Sequence, residues 1–253
     1  MQYDWIKNVA RVSSDYTSIH FHGKFNQKLE PNTLPEKLSS LTFGCNFNQK
    51  IELKILPKNL KTLIFGNCFD QKIEPNTLPK NLTTLTFGEN FNQKIEPNTL
   101  PEKLTTLTFG WDFNQKIESN VLSEKLTTLT LGHYFNQKIQ PNILPEKLTT
   151  LNFGYGFNQK IDSEILPFNL KNIEFNWLCR CDNVLSNHIE MLNNIPNHYY
   201  VKILLQDNIF GDNGPKWPIH VVNYRKNEWL LEIYEIHDKY HHVKYGSITI
   251  LTN

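Results

Sequence analysis

Two short clusters near the C-terminus contain side chains that can bind a transition metal. Cys179 and Cys181 are separated by a single residue, and the run from His237 to His242 holds three histidines and one aspartate. Structural zinc sites usually combine two ligand pairs, each with a characteristic spacing between its members. Neither cluster matches such a spacing, so the sequence predicts no metal site.

The motifs of enzymatic chemistry are absent from the sequence. It has no glycine-rich phosphate loop, no Gly-x-Ser-x-Gly nucleophile turn and no His-Glu-x-x-His helix. Carboxylates recur by repetition along the chain, so none of them stands out as a general acid or base. We therefore predict a protein that is not an enzyme and has neither catalytic residues nor a cofactor.

A third group of residues is suited to binding. Trp111, His133 and Tyr155 follow one another at intervals of 22 residues, and Tyr134 adjoins His133. Exposed tryptophan and tyrosine side chains are typical anchors of protein interfaces. Equal intervals place such residues side by side only if the chain itself repeats with the same period.

The tetrapeptide Phe-Asn-Gln-Lys sets that period. Each copy starts 22 residues after the previous one, and the variant Phe-Asp-Gln-Lys at Phe69 fills the single gap. The other copies start at Phe25, Phe47, Phe91, Phe113, Phe135 and Phe157. We call the seven units coils 1 to 7 and number each coil from its phenylalanine. A repeat of this length predicts a solenoid in which neighbouring coils stack and share one core.

Each coil is predicted to contribute one short strand. In coil 4, Leu104, Leu107 and Phe109 have the Leu-x-x-Leu-x-Leu spacing of leucine-rich repeats. The alternation that begins at Thr106 has a period of two, which directs Leu107 inward and the threonines on either side of it outward. A glycine at position 20 follows the strand in coils 1 to 6, where we expect the turn to need a backbone free of Cβ sterics.

Polar residues at positions 2 to 6 are predicted to stabilise the stack. The asparagines from Asn26 to Asn158 are expected to bond backbone groups of successive coils, and Asp70 can accept the same bonds. The lysine at position 4 precedes an acidic residue by two positions in most coils. Ion pairs within and between coils are therefore expected, each of them weak because it is exposed.

The partner-binding surface is predicted from the positions that differ between coils, because the shared residues build the stack. Positions 21 and 22 vary most, and three consecutive coils place aromatic residues there. We call positions 21 and 22 the exit edge. With outward threonines of the strand face, it gives the predicted site residues Trp111, Asp112, His133, Tyr134, Tyr155, Glu89, Thr86, Thr108 and Thr130. The competing interpretation is that the aromatic residues pack beneath the C-terminal strands.

The ends of the chain depart from the repeat, as capping segments do. Residues 1–24 are predicted to form an N-terminal cap, residues 25–178 the seven coils, and residues 179–253 a C-terminal capping region. Apolar spacing there predicts a short helix over 183–194 and a degenerate strand around Val201 and Ile203. Runs at 219–224, 229–236 and 245–251 predict an antiparallel meander. The predicted fold class is mainly β, a leucine-rich-repeat-like solenoid with a parallel sheet.

The shared segments Phe-Asn-Gln-Lys-Ile, Leu-Pro-Glu-Lys-Leu and Thr-Leu-Thr-Phe-Gly resemble the FNIP-repeat family over residues 25–178. That family is found chiefly in social amoebae and in giant DNA viruses of amoebae. The resemblance implies leucine-rich-repeat-like stacking and a role in protein interaction. In this chain the fourth position is lysine in all seven coils, where the family motif has proline. Some family members resemble ubiquitin-ligase adaptors that carry an F-box, for which the 24 residues before coil 1 are too few.

Composition narrows the class of partner. The formal net charge is +1, with 26 basic and 25 acidic side chains, so no bulk electrostatic attraction favours nucleic acid or an anionic membrane. The N-terminus lacks an apolar signal segment, and four irregularly placed cysteines fit a reducing compartment. We expect a cytoplasmic protein that binds another protein, a host protein if the chain is viral.

Two other functions remain open from the sequence. A polar ladder with an uncovered sheet end would allow structural self-association. Pairs of threonines in coils 3 to 5 also resemble the threonine ladders of ice-binding solenoids, although Ile64, Asn152 and Glu174 interrupt one column. Self-association would depend on the open end of the sheet, and ice binding on the threonine columns.

Overall fold

The computed structural model describes residues 4–161, 163–178, 200–206, 219–224, 231–237 and 241–248. In these residues thirteen strands form one sheet in chain order. They are β1 (Ala10–Val12), β2 (Ser18–Phe21), β3 (Ser40–Thr42), β4 (Thr62–Ile64), β5 (Thr84–Thr86), β6 (Thr106–Thr108), β7 (Thr128–Thr130), β8 (Thr150–Phe153), β9 (Asn172–Leu178), β10 (Tyr200–Gln206), β11 (Ile219–Tyr224), β12 (Leu231–His237) and β13 (His241–Ile248). Neighbouring strands are parallel from β2 to β10, which confirms the predicted parallel solenoid.

The register of the sheet equals the period of the sequence. Thr84, Leu85 and Thr86 pair with the residues 22 positions later, and all neighbouring strands from β2 to β9 repeat this alignment. The central leucine of each strand is fully buried and the two flanking side chains are half-buried. The inward and outward directions predicted from the alternation are therefore confirmed.

Two columns of phenylalanine fill the core behind the strands. The ring at position 19 stacks on the ring at position 1 of the next coil, with centroids 3.8 Å apart for Phe43 and Phe47. The rings at position 1 also follow one another along the stack at about 6 Å, as between Phe47 and Phe69. Leu131 replaces phenylalanine in the position-19 column of coil 5 and is buried as well. Each coil thus buries its aromatic residues only because its neighbours are present.

The glycines at position 20 are required by contact between coils. A Cβ atom at Gly88 would lie 1.9 Å from the carbonyl oxygen of Gly66, and the glycines from Gly44 to Gly154 meet similar obstacles. None of these glycines has the left-handed backbone that would by itself favour glycine. Our expectation that the turn sets this requirement was therefore incomplete. In coil 7, position 20 is Asn176, and β9 continues past it to Leu178.

The asparagine column at position 2 joins successive coils, as predicted. Oδ1 of Asn48 accepts hydrogen bonds from the backbone N–H of Asp70 at 3.0 Å and from Nε2 of Gln71 at 2.9 Å. Oδ1 of Asp70 accepts the same two bonds from Asn92 and Gln93, both at 2.9 Å. Aspartate can take the place of asparagine in this column because only the side-chain oxygen, which accepts both bonds, is used.

A second asparagine column, at position 8, was not anticipated from the sequence. In coils 1 to 6 the residue at this position has a positive φ of 61° to 66°. Asparagine tolerates the left-handed region better than most residues, and five of the six coils have it there. The exception is Lys54, with a φ of 66°.

Each end of the solenoid differs from the coils. A short helix, α1 (Asp4–Val9), precedes β1, which pairs antiparallel with β2, and Ile6 is fully buried. At the other end β10 pairs parallel with β9, which confirms the predicted degenerate strand. No helix in the described part of the chain is long and apolar enough to cross a lipid bilayer.

The antiparallel meander is present, with altered bounds. Strand β13 spans His241–Ile248 and so begins four residues before the predicted start; residues 249–251 of the predicted strand lie outside the described residues. Strand β12 ends at His237, one residue later than predicted. The β-rich runs of the sequence did not predict these bounds, because the pairing of His237 with His241 extends both strands towards their connection. The helix predicted over 183–194 and the pair Cys179 and Cys181 lie outside the described residues.

Candidate functional site

The exit edge is held in register by the backbone. The N–H group at position 22 donates a hydrogen bond to the carbonyl oxygen at position 21 of the preceding coil. The N–H of Tyr134 donates to the carbonyl oxygen of Trp111 at 2.9 Å, and the N–H of Asp112 donates to that of Glu89 at 2.8 Å. These bonds continue the ladder beyond the glycine and fix the spacing of the side chains at both positions.

Three side chains at position 21 form one aromatic cluster. The Trp111 and His133 rings are stacked with centroids 4.3 Å apart and an angle of 12° between their planes. The His133 and Tyr155 rings meet edge to face at 4.2 Å. The side-by-side arrangement predicted from the 22-residue interval is therefore what the structure shows. Contacts of this kind add stability beyond the area that they bury.

Much of this aromatic surface faces solvent. Trp111 is 50% exposed and Tyr134 is 59% exposed, and they are two of the few large hydrophobic residues that are exposed in the described part of the chain. His133 and Tyr155 are half-buried. Trp111 and Tyr134 therefore leave aromatic surface uncovered at the exit edge.

Burial sets the protonation state of the cluster. Desolvation lowers the pKa of His133 and raises the pKa of Tyr155, since burial disfavours the charged form of either ring. Both shifts favour the uncharged form of the ring. The charges at this edge come instead from Glu89, which is exposed, and Asp112, which is partly exposed.

The threonines predicted for the site lie on the adjoining strand face. Thr86, Thr108 and Thr130 are aligned on consecutive strands and are half-buried. Oγ1 of Thr130 accepts a hydrogen bond from Nδ2 of Asn152 at 3.3 Å. A buried phenylalanine or leucine at position 19 and the glycine at position 20 separate these threonines along the chain from the exit edge. The predicted residues thus form one edge and one neighbouring face.

The lysine and glutamate columns form the predicted ion pairs. Lys72, Lys94 and Lys116 pair within their coils at 3.0 to 3.6 Å. Lys28 and Lys50 reach the glutamate of the next coil at 3.1 and 3.8 Å. Each of these side chains is about one-third to one-half exposed, so the pairs add little stability individually. The residues that the structure describes contain no group of three potential metal ligands.

One positively charged surface was not predicted from the sequence. It lies before the strands, at positions 8, 12, 13 and 15, and we call it the leading edge. Coils 1 to 4 carry six exposed lysines there: Lys37, Lys54, Lys58, Lys61, Lys80 and Lys103. The available signal was that coils 2 and 3 have lysine at position 12, where coils 1, 4, 5 and 6 have glutamate.

Comparison with known proteins supports the repeat interpretation. The model of the FNIP repeat matches residues 17–68, 69–112 and 113–156, which together exceed half of the chain. The solved structure of CroV588, a giant-virus protein described as a novel circular LRR protein, is 44% identical with a TM-score of 0.69. That match covers 75% of this chain and 27% of CroV588, so this chain spans about a quarter of the length of that relative.

The remaining comparisons add no function. The pneumococcal vaccine antigen PcpA is 13% identical with a TM-score of 0.29, over 75% of this chain and 45% of the antigen. A likeness at that level carries no argument about activity. No curated protein sequence matches the chain.

Proposed function

The chain belongs to the FNIP-repeat family, and on that basis we propose that it is a non-catalytic scaffold that binds another protein at its exit edge. The observation that carries this proposal is the aromatic surface of the exit edge: Trp111 and Tyr134 are at least half exposed, and the Trp111 ring is stacked on His133, which meets the Tyr155 ring edge to face. Repeat proteins of this kind typically present an extended surface to a macromolecular partner.

The local sequence supports this choice of surface. At position 21 the first three coils carry Cys45, Asn67 and Glu89, none of which is aromatic. Stacking by itself therefore does not require an aromatic residue there. A tryptophan whose ring is already ordered by His133 loses little conformational entropy when a partner covers it. Rigid aromatic residues of this type are the usual energetic centres of protein interfaces.

The surroundings of the cluster suggest the chemistry of the partner. Glu89 and Asp112 place negative charge beside the aromatic rings, and the hydroxyl groups of Thr108 and Thr130 line the adjoining face. We propose a protein segment with an apolar anchor for Trp111 and a basic or amide group for the carboxylates. Because the relative CroV588 is a giant-virus protein, a host protein is one source of such a partner.

Affinity capture from cell extract with paired variants tests the proposal. Trp111→Ala combined with Tyr134→Ala should remove the captured partner, because truncating an interface anchor costs about 2 kcal/mol or more. The control is Asn67→Ala combined with Asn46→Ala, which truncates exposed residues at the same two positions in other coils. Retention of every partner by the aromatic variant would contradict the proposed site.

The alternative functions have separate readouts. Thr84, Thr106 and Thr128 align in one column and Thr86 aligns with Thr108 in the other, which is the regularity that ice binding would need. Thermal hysteresis and ice-recrystallisation assays would detect that activity in the purified protein. Light scattering over a concentration series would detect self-association, and a constant monomeric mass would argue against it.

A further inference from the structure

The leading edge of coils 1 to 4 is a concentrated positive surface in a nearly neutral protein. Its six lysines are accompanied by two glutamates at the same four positions, Glu36 and Glu102. In coils 5 to 7 these positions hold three lysines and three glutamates. The positive charge is therefore confined to one half of the stack.

These lysines differ in their pairing from those at position 4. In the part of the chain that the structure describes, carboxylates pair with the position-4 lysines of coils 1 to 5, and none pairs with the six lysines of the leading edge. Nζ of Lys103 donates a hydrogen bond to Oδ1 of Asn81 at 2.8 Å, and Nζ of Lys37 lies 5.7 Å from the centre of the Tyr16 ring. The charge of the surface therefore remains available to a ligand.

Five of the six lysines line two grooves that adjoin each other. One, of about 610 Å³, is lined by three lysines, Lys58, Lys80 and Lys103, by one carboxylate, Glu102, and by apolar Leu100. The other, of about 490 Å³, is lined by Lys37, Lys61 and Lys103. Asn81 and Lys103 line both, so the grooves run across successive coils.

We propose that this surface binds an extended peptide segment rich in aspartate and glutamate. Six ammonium groups supply charge complementarity, while the amide, hydroxyl and leucine side chains of the grooves suit a peptide backbone and its apolar side chains. A single-stranded nucleic acid would also be attracted, but none of the described residues lining these grooves is aromatic, so its bases would find no stacking platform.

Lys54 gives the surface a further feature. Five other coils have asparagine at this left-handed position, where the backbone conformation costs more free energy for lysine than for asparagine. Lys54 and Lys58 line a third, smaller groove of about 220 Å³ at the coil 1 side of the surface. Lys54 therefore adds a positive charge beside a groove of the same surface, at a backbone position that asparagine tolerates better.

Fluorescence anisotropy with a fluorescein-labelled dodecapeptide of glutamate tests this proposal. Lys58→Glu, Lys61→Glu and Lys80→Glu together should weaken binding by at least ~10-fold, because each change replaces attraction with repulsion. The matched control is Lys125→Glu, Lys147→Glu and Lys171→Glu, which changes the net charge equally at positions 13 and 15 of coils 5 to 7. The control should bind within ~2-fold of the unaltered chain.

Three results would overturn the proposal: no binding of the peptide, equal loss in both triple variants, or tighter binding of a dodecamer of thymidine than of the peptide. Circular dichroism of both variants separates loss of binding from loss of fold. Trp111 and Tyr134 are unchanged in every variant, so the result is independent of the exit-edge proposal.

Discussion

His133 occupies the centre of the aromatic cluster, between the rings of Trp111 and Tyr155. Desolvation lowers its pKa below the usual value of 6.5. Because folding favours the neutral imidazole, the unfolded chain takes up the proton first as the pH falls through about 6.5. The stabilisation from this ring is therefore present above that pH and is lost on acidification.

We expect an NMR titration to place the pKa of His133 below 6.5, and Trp111→Ala to raise it towards that value. Removing the indole admits water to one face of the imidazole and thereby reduces the desolvation. Tyr134→Ala, which removes an exposed neighbour outside the stack, should leave the pKa unchanged. An unshifted pKa after removal of Trp111 would show that other groups bury the ring.

The glycine column offers a second test on single residues. Gly88→Ala should lower the free energy of unfolding by about 2 kcal/mol or more, because the added Cβ would lie 1.9 Å from the Gly66 carbonyl oxygen and the coils would have to separate. Gly23→Ala is the control, since a Cβ at Gly23 meets nothing within 4 Å. Denaturant titration measures both. Equal stability of the two variants would contradict the close-contact explanation.

Some single-residue features could be predicted from the sequence and others could not. The acceptor role of Asp70 followed from its chemistry, and the cluster of Trp111, His133 and Tyr155 followed from the period. The left-handed backbone of Lys54 did not follow, because it depends on a turn geometry that the other coils reveal only through asparagine. The contact made by Gly88 also depends on distances between coils, which the sequence does not contain.

At the scale of the element, each strand is too short to be stable alone, and the polar column at position 2 contributes to its stacking. Oδ1 of Asn114 accepts hydrogen bonds from the N–H of Asn136 at 2.9 Å and from Nε2 of Gln137 at 3.0 Å. Asn114→Ala leaves both donors without this acceptor, and we expect a loss of roughly 1–3 kcal/mol in thermal or chemical unfolding.

The matched change Asn114→Asp keeps the acceptor, as Asp70 does in coil 3. It should cost less than about 1 kcal/mol, because a carboxylate accepts both bonds and the neighbours in the column, Asn92 and Asn136, are uncharged. If the alanine and aspartate variants were equally stable, the column would contribute by packing rather than by hydrogen bonding.

The strands themselves were predictable wherever the spacing was regular. Leu107 and its equivalents define both the position and the inward face of each strand, and the structure confirms them. The length of β9 was not predictable from the repeat, because it depends on the absence of glycine at Asn176 and on pairing with β10 along its whole length. The bounds of β12 and β13 depend in the same way on their mutual pairing.

At the scale of the whole molecule, the period determines which surfaces exist, while the differences between coils determine what they offer. The exit edge could be found in the sequence because its aromatic residues share one position. The leading edge was missed because its charge is spread over four positions in four coils and becomes one surface only when they are stacked. The overall balance of 26 basic and 25 acidic residues conceals this local excess.

The N-terminal end of the sheet is one place where two copies of the chain could associate by strand pairing. The outermost strand there, β1, has only three residues and pairs antiparallel with β2. Short edge strands offer few free backbone groups to another chain. Strand β1 therefore offers little free backbone for self-association by edge pairing at this end.

A stack whose coils contact only their neighbours should tolerate the loss of one whole coil. Removing residues 69–90 joins Cys68 to Phe91 and keeps every column in register, because the deletion equals the 22-residue period. We expect this variant to retain the β-sheet circular dichroism spectrum and to unfold with somewhat lower stability, since one coil and one interface between coils are lost.

Removing residues 69–79 instead brings position 12 of coil 3 next to Cys68 and shifts the leucine, phenylalanine and asparagine columns by half a coil. That shorter deletion should destabilise the chain more than the longer one, because it exposes core residues on both sides of the junction. Thermal unfolding ranks the two variants, and a more stable half-coil deletion would mean that the stacked columns do not hold the fold together.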